Sequence, residues 1–282
     1  MALVTISNGL ISAVISSMGA ELQSVHDSRG NERLWQGDPA FWTGRAPIMF
    51  PVCGGYKDDR YTMRGKLYPM GKHGFARKCE WTVERSEQDR AVFLLTEKQE
   101  GFPFAYELRA IYSLEGGALR VTYEVTDRDS CTFFFGIGSH EAYALEGPLE
   151  DYRIEFPETE DLKVSTLVGN LIEPKPYLLK EKTNCLDLKT EYFAVDALVF
   201  RSLKSRSATL KNVKTGKTVR VDFDGMDVFM LWQKPGAAYL CLEPWTNAPD
   251  TVDSDGEIEH KPGMICLQPG ETARRSHLIT FG

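Results

Sequence analysis

The chain lacks the features that announce a membrane, nucleic-acid or nucleotide partner. No run approaches the ~20 consecutive apolar residues of a membrane helix. The opening segment, Met1 to Gly9, has neither a basic leader nor an apolar stretch of export length. A cytoplasmic location is the expectation. Basic blocks are also missing: 33 Lys and Arg are interspersed with 40 Asp and Glu, a formal net charge of -7, so nothing is set out to neutralise a run of phosphates and nucleic acid is not an expected partner. Neither G-x-G-x-x-G nor G-x-x-x-x-G-K-[ST] occurs, which removes the usual nucleotide cradles. Cys53, Cys79, Cys131, Cys185, Cys241 and Cys266 are scattered without a C-x-x-C pair, and they read as reduced, unreactive core thiols.

What is present is period-two alternation. Phe104, Tyr106, Leu108, Ala110, Tyr112 and Leu114 share one face, with Glu107 and Arg109 on the other, the pattern of a half-buried strand. Glu115-Gly116-Gly117 supplies a turn, and Leu119, Val121, Tyr123 and Val125 alternate again, so a long antiparallel hairpin is expected. Asn8-Gly9, Lys214 to Lys217 and Pro269-Gly270 punctuate similar segments, and helical periodicity is weak. An all-β chain with few short helices follows, and its 282 residues suit one large sandwich domain spanning 1–282. Three stretches break the alternation: Gly37 to Arg77, Asn247 to Pro262, and Val168 to Lys189, the last expected as a surface excursion or insertion. Irregular loops are where a β-sandwich carries chemistry.

Only five histidines occur, and imidazole is the side chain best suited to proton transfer near neutrality. His26 and His277 are expected to be structural. His73, His140 and His260 lie beside turns or strand ends, and His140 follows Gly136-Ile137-Gly138-Ser139, where two glycines permit close backbone approach. Glu243 ends the apolar run Tyr239 to Leu242. A carboxyl there is costly unless used, and burial would raise its pKa toward that of a general base. Phe75, Tyr143 and Trp245 flank these groups, and rings beside ionisable side chains suit the C–H faces and hydroxyls of a sugar. His73, His140, Asp196 and Glu243 are also potential metal donors, but no H-x-x-H, H-E-x-x-H or calcium-loop spacing is present, and no metal or cofactor is expected. No G-x-S-x-G elbow exists for a serine hydrolase.

In order along the chain stand Gly19-Ala20-Glu21-Leu22-Gln23-Ser24, Leu34-Trp35-Gln36-Gly37-Asp38-Pro39, Phe41-Trp42, Arg45 to Pro51, His73-Gly74-Phe75-Ala76-Arg77, Gly138-Ser139-His140, Asp196 to Phe200, Glu243-Pro244-Trp245 and Lys261-Pro262-Gly263. This succession resembles the aldose 1-epimerase (galactose mutarotase-like) family, particularly its short bacterial branch, nearly end to end. The resemblance implies a large antiparallel β-supersandwich, no cofactor, and a sugar as partner, with the protein a monomer or homodimer. It also implies Glu243 as general base, His140 as general acid, and His73 and Asp196 as sugar-binding residues. Two departures stand out. Relatives commonly carry an arginine where this chain has Gly55, leaving Arg45 and Arg77 as candidates to replace it. Glu141 follows His140 where a proline is common, adding a charge at the site rim that would disfavour an anionic substrate if it points inward.

Three functions compete. The first is anomer exchange on a neutral hexose by Glu243 and His140. The second is a hexose-6-phosphate 1-epimerase, prompted by Arg45, Lys72 and Arg77 and opposed by the net charge and Glu141. The third is a sugar-binding or regulatory protein without turnover, prompted by Gly55.

Overall fold

The structure is a computed structural model describing all 282 residues. The alternating segments pair as their pattern requires. Tyr106–Glu115 and Ala118–Asp127 form an antiparallel hairpin, registered from Tyr106 opposite Asp127 to Glu115 opposite Ala118. The face bearing Tyr106, Leu108, Ala110, Tyr112 and Leu114 is buried. On the other face the charges pair with one another, Arg109 with Glu84 at 2.7 Å and with Glu107 at 2.8 Å.

This hairpin belongs to a 15-stranded sheet whose path begins at Ile48–Met49 and Gly138–Ser139 and passes through Tyr239–Trp245, Val228–Trp232 and Leu198–Phe200. It continues through Tyr152–Ser165, Ser207–Asn212, Thr218–Asp222 and Thr272–Phe281 to the hairpin and Thr82–Ser86. The sheet folds over on itself: His277 of Thr272–Phe281 meets Glu141 beside Gly138–Ser139, between strands far apart on this path. A core cluster of 65 buried residues fills the interior, so the architecture is the expected antiparallel β-supersandwich. Five 3-10 segments of three or four residues are its helices, and none is long and apolar enough to cross a membrane.

Two adjacent strands set the site. In Val228–Trp232 and Tyr239–Trp245, Phe229, Leu231, Leu240 and Leu242 point into the main core. The pleat therefore turns Met230, Trp232, Glu243 and Trp245 to the opposite, concave face.

Two expectations need correction. The Val168 to Lys189 stretch is not merely an excursion, because it contains the strand Tyr177–Asp187, paired with Tyr152–Ser165 through three register shifts. Those bulges and its largely exposed surface erase the period-two signal. Nor are all the cysteines core thiols: all six are free, but Cys266 is exposed, facing outward where Ile265–Leu267 pairs only with Phe133–Phe135.

Candidate functional site

Glu243 reaches the concave face from the middle of the sheet, opposite Met230 in the neighbouring strand. Its side chain is 1% exposed, and its Oε1 lies 3.4 Å from Nδ1 of His140. Both Glu243 oxygens and this Nδ1 are buried without a hydrogen-bond partner. His140 arrives from the other side, between Gly138–Ser139 and Ala142–Ala144, which pair with the same strand opposite Trp245 and Cys241. The approach depends on glycine, since a Cβ at Gly138 would stand 2.6 Å from Cδ1 of Trp245, and one at Gly136 would meet Oδ1 of Asn247 at 1.8 Å.

Burial pushes the Glu243 carboxyl well above the usual carboxylate range; the Glu141 charge adds to the rise and Lys72 opposes it. Burial also pushes the His140 imidazole down to about 3, and Arg77 and Lys72 act in the same direction. Between those limits the pair holds one proton, carried in the free protein by the carboxyl. A carboxylate–imidazolium arrangement contains the same number of protons, so the two forms interconvert with no net gain or loss of a proton.

His73 lies against His140, with ring centroids 5.8 Å apart and planes at 71°. Its Nδ1 accepts the Gly54 N–H at 3.0 Å, so the ring proton sits on Nε2, and burial lowers its basicity before the neighbouring charges add to the effect. The residue is held at φ 65°, left-handed backbone that a non-glycine side chain disfavours by ~1 kcal/mol. Trp42 stacks on His140 at 4.8 Å, and Trp232 meets the same ring edge-on at 5.4 Å. Trp245 donates from Nε1 to the Ser139 carbonyl at 3.0 Å and lies edge-on to His73.

These groups line a cleft of about 660 Å³, within the range of roughly 300–1,000 Å³ common for small-ligand sites. Glu243, His140, His73, Asp196, Arg77 and Trp245 all line it. Asp196 is half-buried and accepts the N–H of Ala197 at 2.8 Å. Arg45 and Phe75 lie elsewhere. The Arg45 guanidinium is engaged by Gln23 and by the Gln36 carbonyl, and Phe75 packs against Phe50 and Phe102. Glu141 does not point into the cleft either. Next to His140 on an extended chain it takes the opposite face, where it accepts from Ser139 Oγ at 2.5 Å and His277 Nε2 at 2.9 Å. The space beside Gly55 is filled by Asn170, at the tip of the hairpin Leu167–Val168 and Leu171–Ile172; a Cβ at Gly55 would lie 3.0 Å from both Cβ and O of Asn170.

A second cleft, of about 520 Å³, contains His260. That imidazole is exposed and already bound to Asp255 at 2.7 Å. Lys261 in the same wall is closed off by Asp250 at 2.5 Å. The free acid/base groups are in the first cleft, which is therefore the candidate site.

His140, Glu243 and Cys241 place one donor atom each within 4.8 Å of one another. A cysteine binds a metal as its thiolate, and in the metal-free protein burial and then the Glu243 charge push the Cys241 thiol far above its usual range.

Sequence reasoning missed Trp42 and Trp232 as site residues. Trp232 had a usable signal, since it shares its pleat with Met230 and lies beside the strand of Glu243. Trp42 sits in a loop with no periodicity, and only the folded chain brings it onto His140.

A family model described as Aldose 1-epimerase matches residues 2–280. The plasmid-encoded protein LacX of Lactococcus lactis subsp. lactis is 33% identical over 99% of both chains. A solved structure described as a galactose mutarotase related enzyme from Lactobacillus acidophilus superposes with a TM-score of 0.92, at 30% identity, covering 100% of this chain and 97% of that one. A galactose mutarotase-like protein from Lactobacillus casei ATCC 334 gives 0.93 at 26% identity, covering both chains completely.

Proposed function

Because the chain belongs to the aldose 1-epimerase family and is thus an isomerase acting on carbohydrate, we propose that it interconverts the α and β anomers of an aldose, with Glu243 and His140 exchanging the protons. The observation that carries this reading is the pair itself: a carboxyl and an imidazole 3.4 Å apart, buried under a cleft, whose facing atoms have no other partner.

In the carboxylate–imidazolium form, Glu243 takes the proton of the anomeric hydroxyl while His140 protonates the ring oxygen. The C1–O5 bond breaks and an open-chain aldehyde remains. The pair is then carboxyl and neutral imidazole, the form burial favours, so ring opening returns it to the arrangement it holds in the free protein. Rotation about C1–C2 presents the other face of the aldehyde, and the two transfers reverse as the ring closes. Each is worth roughly 10²–10⁴ in rate. His73, through Nε2–H, and Asp196 orient the sugar hydroxyls, while Trp42 and Trp232 hold the imidazole plane and offer faces to sugar C–H groups. No step requires a cofactor.

Residues 1–282 acting as one domain is part of the proposal; the family match over 2–280 and the 65-residue core support it. A cytoplasmic setting accords with six cysteines, none in a disulfide. The reading without turnover gives way to membership of an isomerase family. Polarimetry with freshly dissolved α-glucose or α-galactose tests the activity. Protein should speed the approach to equilibrium and Glu243→Gln should abolish the acceleration; equal rates with and without wild-type protein would end the proposal.

A further inference from the structure

Within a chain of net charge -7, the cleft is lined by three cations, Lys72, Arg77 and Lys234, against two acids, Asp196 and Glu243. One of those acids is pushed toward its neutral form by burial. Lys72, Arg77 and Lys234 take part in none of the molecule's ion pairs, although arginines throughout the rest of the surface are bridged to carboxylates, among them Arg33, Arg109, Arg120 and Arg220.

Arg77 is the most telling of the three. It is half-buried in the 3-10 segment Ala76–Lys78, where burial works against its charge. Its Nε is buried without a partner, and one Nη donates only to the Lys72 carbonyl, at 3.1 Å. A guanidinium remains charged whatever its surroundings, and the Glu21 carboxylate, which offsets part of the cost of its burial, makes no direct ion pair with it, so its fork remains open to an anion. The same contact draws the segment of Lys72 beside it, next to His73. The objection to an anion at this site was Glu141, and that carboxyl is turned into the core against His277.

We propose, building on the epimerase reading, that the substrate is an aldose bearing an anionic substituent, a phosphate ester or a carboxylate, bound by Arg77 and Lys72 with Lys234 adding to the field. The fork of Arg77 pairs with two oxygens of such a group, and Lys72 supplies a point charge beside it. The anion would make the direct ion pair that Arg77 lacks, Glu21 acting on it only from beyond ion-pair distance. Asn170, neutral and packed beside Gly55, adds no further carboxylate to the cleft.

The test is anomer exchange followed by saturation-transfer NMR on glucose, galactose, their 6-phosphates and glucuronate, with the wild type and with Arg77→Gln and Lys72→Met. Wild-type kcat/KM should be at least about tenfold higher for an anionic sugar than for its neutral parent. That ratio should fall by about tenfold in each variant and decline with added salt. The 6-phosphate and glucuronate arms identify which anion the site takes. Equal or higher efficiency on the neutral parents overturns the proposal. If no sugar exchanges, the epimerase reading fails by itself, and calorimetric binding of the same sugars decides the anion question: tighter binding of a phosphate or uronate than of the parent upholds it, and equal binding overturns it. Circular dichroism and Tm confirm that the variants are folded.

Discussion

Two buried histidine–glutamate pairs lie on opposite faces of one stretch of chain. On the cleft side, His140 and Glu243 stand 3.4 Å apart without a hydrogen bond. On the core side, adjacent Glu141 is hydrogen-bonded to His277 at 2.9 Å and to Ser139 at 2.5 Å, leaving Nδ1 of His277 as the one atom of that group without a partner. Both glutamates are buried, so burial does not separate them. Partnering does. The core pair spends its lone pairs on the protein and joins the two halves of the folded sheet, whereas the cleft pair keeps its own for a ligand.

Substituting one member from each pair should split activity from stability. Glu243→Gln is expected to lower kcat by about 10²–10⁴. It should leave urea-unfolding stability within ~1 kcal/mol of wild type, since its oxygens lose no partner. Glu141→Ala should do the reverse in kind, costing about 3–5 kcal/mol of stability by stranding His277 in the core. Replacing both core residues, Glu141→Leu with His277→Leu, should recover most of that loss, because a well-packed apolar pair is often as stable as a buried ionic one. Urea titration of the three proteins checks this, and a double variant as unstable as Glu141→Ala would show that the core pair does more than satisfy itself.

The pH profile of kcat/KM sharpens the contrast further. His140 is held at about 3 by burial and by Arg77 and Lys72, so the one-proton pair gains a second proton only as the pH falls toward that value. The acid limb should thus lie far below the ~6.5 of a free imidazole. The alkaline limb, where the pair loses its shared proton, should lie above the ordinary carboxylate range because the Glu243 carboxyl is raised. The limbs belong to the pair rather than to either residue. Exchange rates corrected for solvent catalysis provide the measurement, and an acid limb at 6–7 would show that the imidazole titrates alone. The smallest effect expected is that of Gly55→Ala. Its Cβ would press on Asn170 at 3.0 Å, displacing the hairpin tip for roughly 1 kcal/mol or somewhat more and raising KM a few-fold.

Much of the frame was legible because a strand half in water must alternate. The Tyr106–Glu115 hairpin and the apolar run ending at Glu243 carried that signal in their own residues. Tyr177–Asp187 did not, since bulges and solvent on its side chains remove the period. Of the residues expected to bind the sugar, Asp196, His73, Arg77 and Trp245 line the cleft, while Arg45 and Phe75 lie outside it: local sequence shows that a side chain is basic or aromatic, but not which other residue will occupy it.

The sequence alone determined the all-β character, the placement of His140 after two glycines, and a carboxyl at the end of a buried strand. These depend on spacing along the chain, and spacing survives any fold. Tertiary structure decided what each charge meets. It turned Glu141 inward against His277, 136 residues away, set Trp42 over His140, packed Asn170 against Gly55, and left Arg77 and Lys72 outside any direct ion pair. Partners of that kind come from distant segments, so only the closed sheet distinguishes a glutamate that holds the core together from one that is free to move a proton.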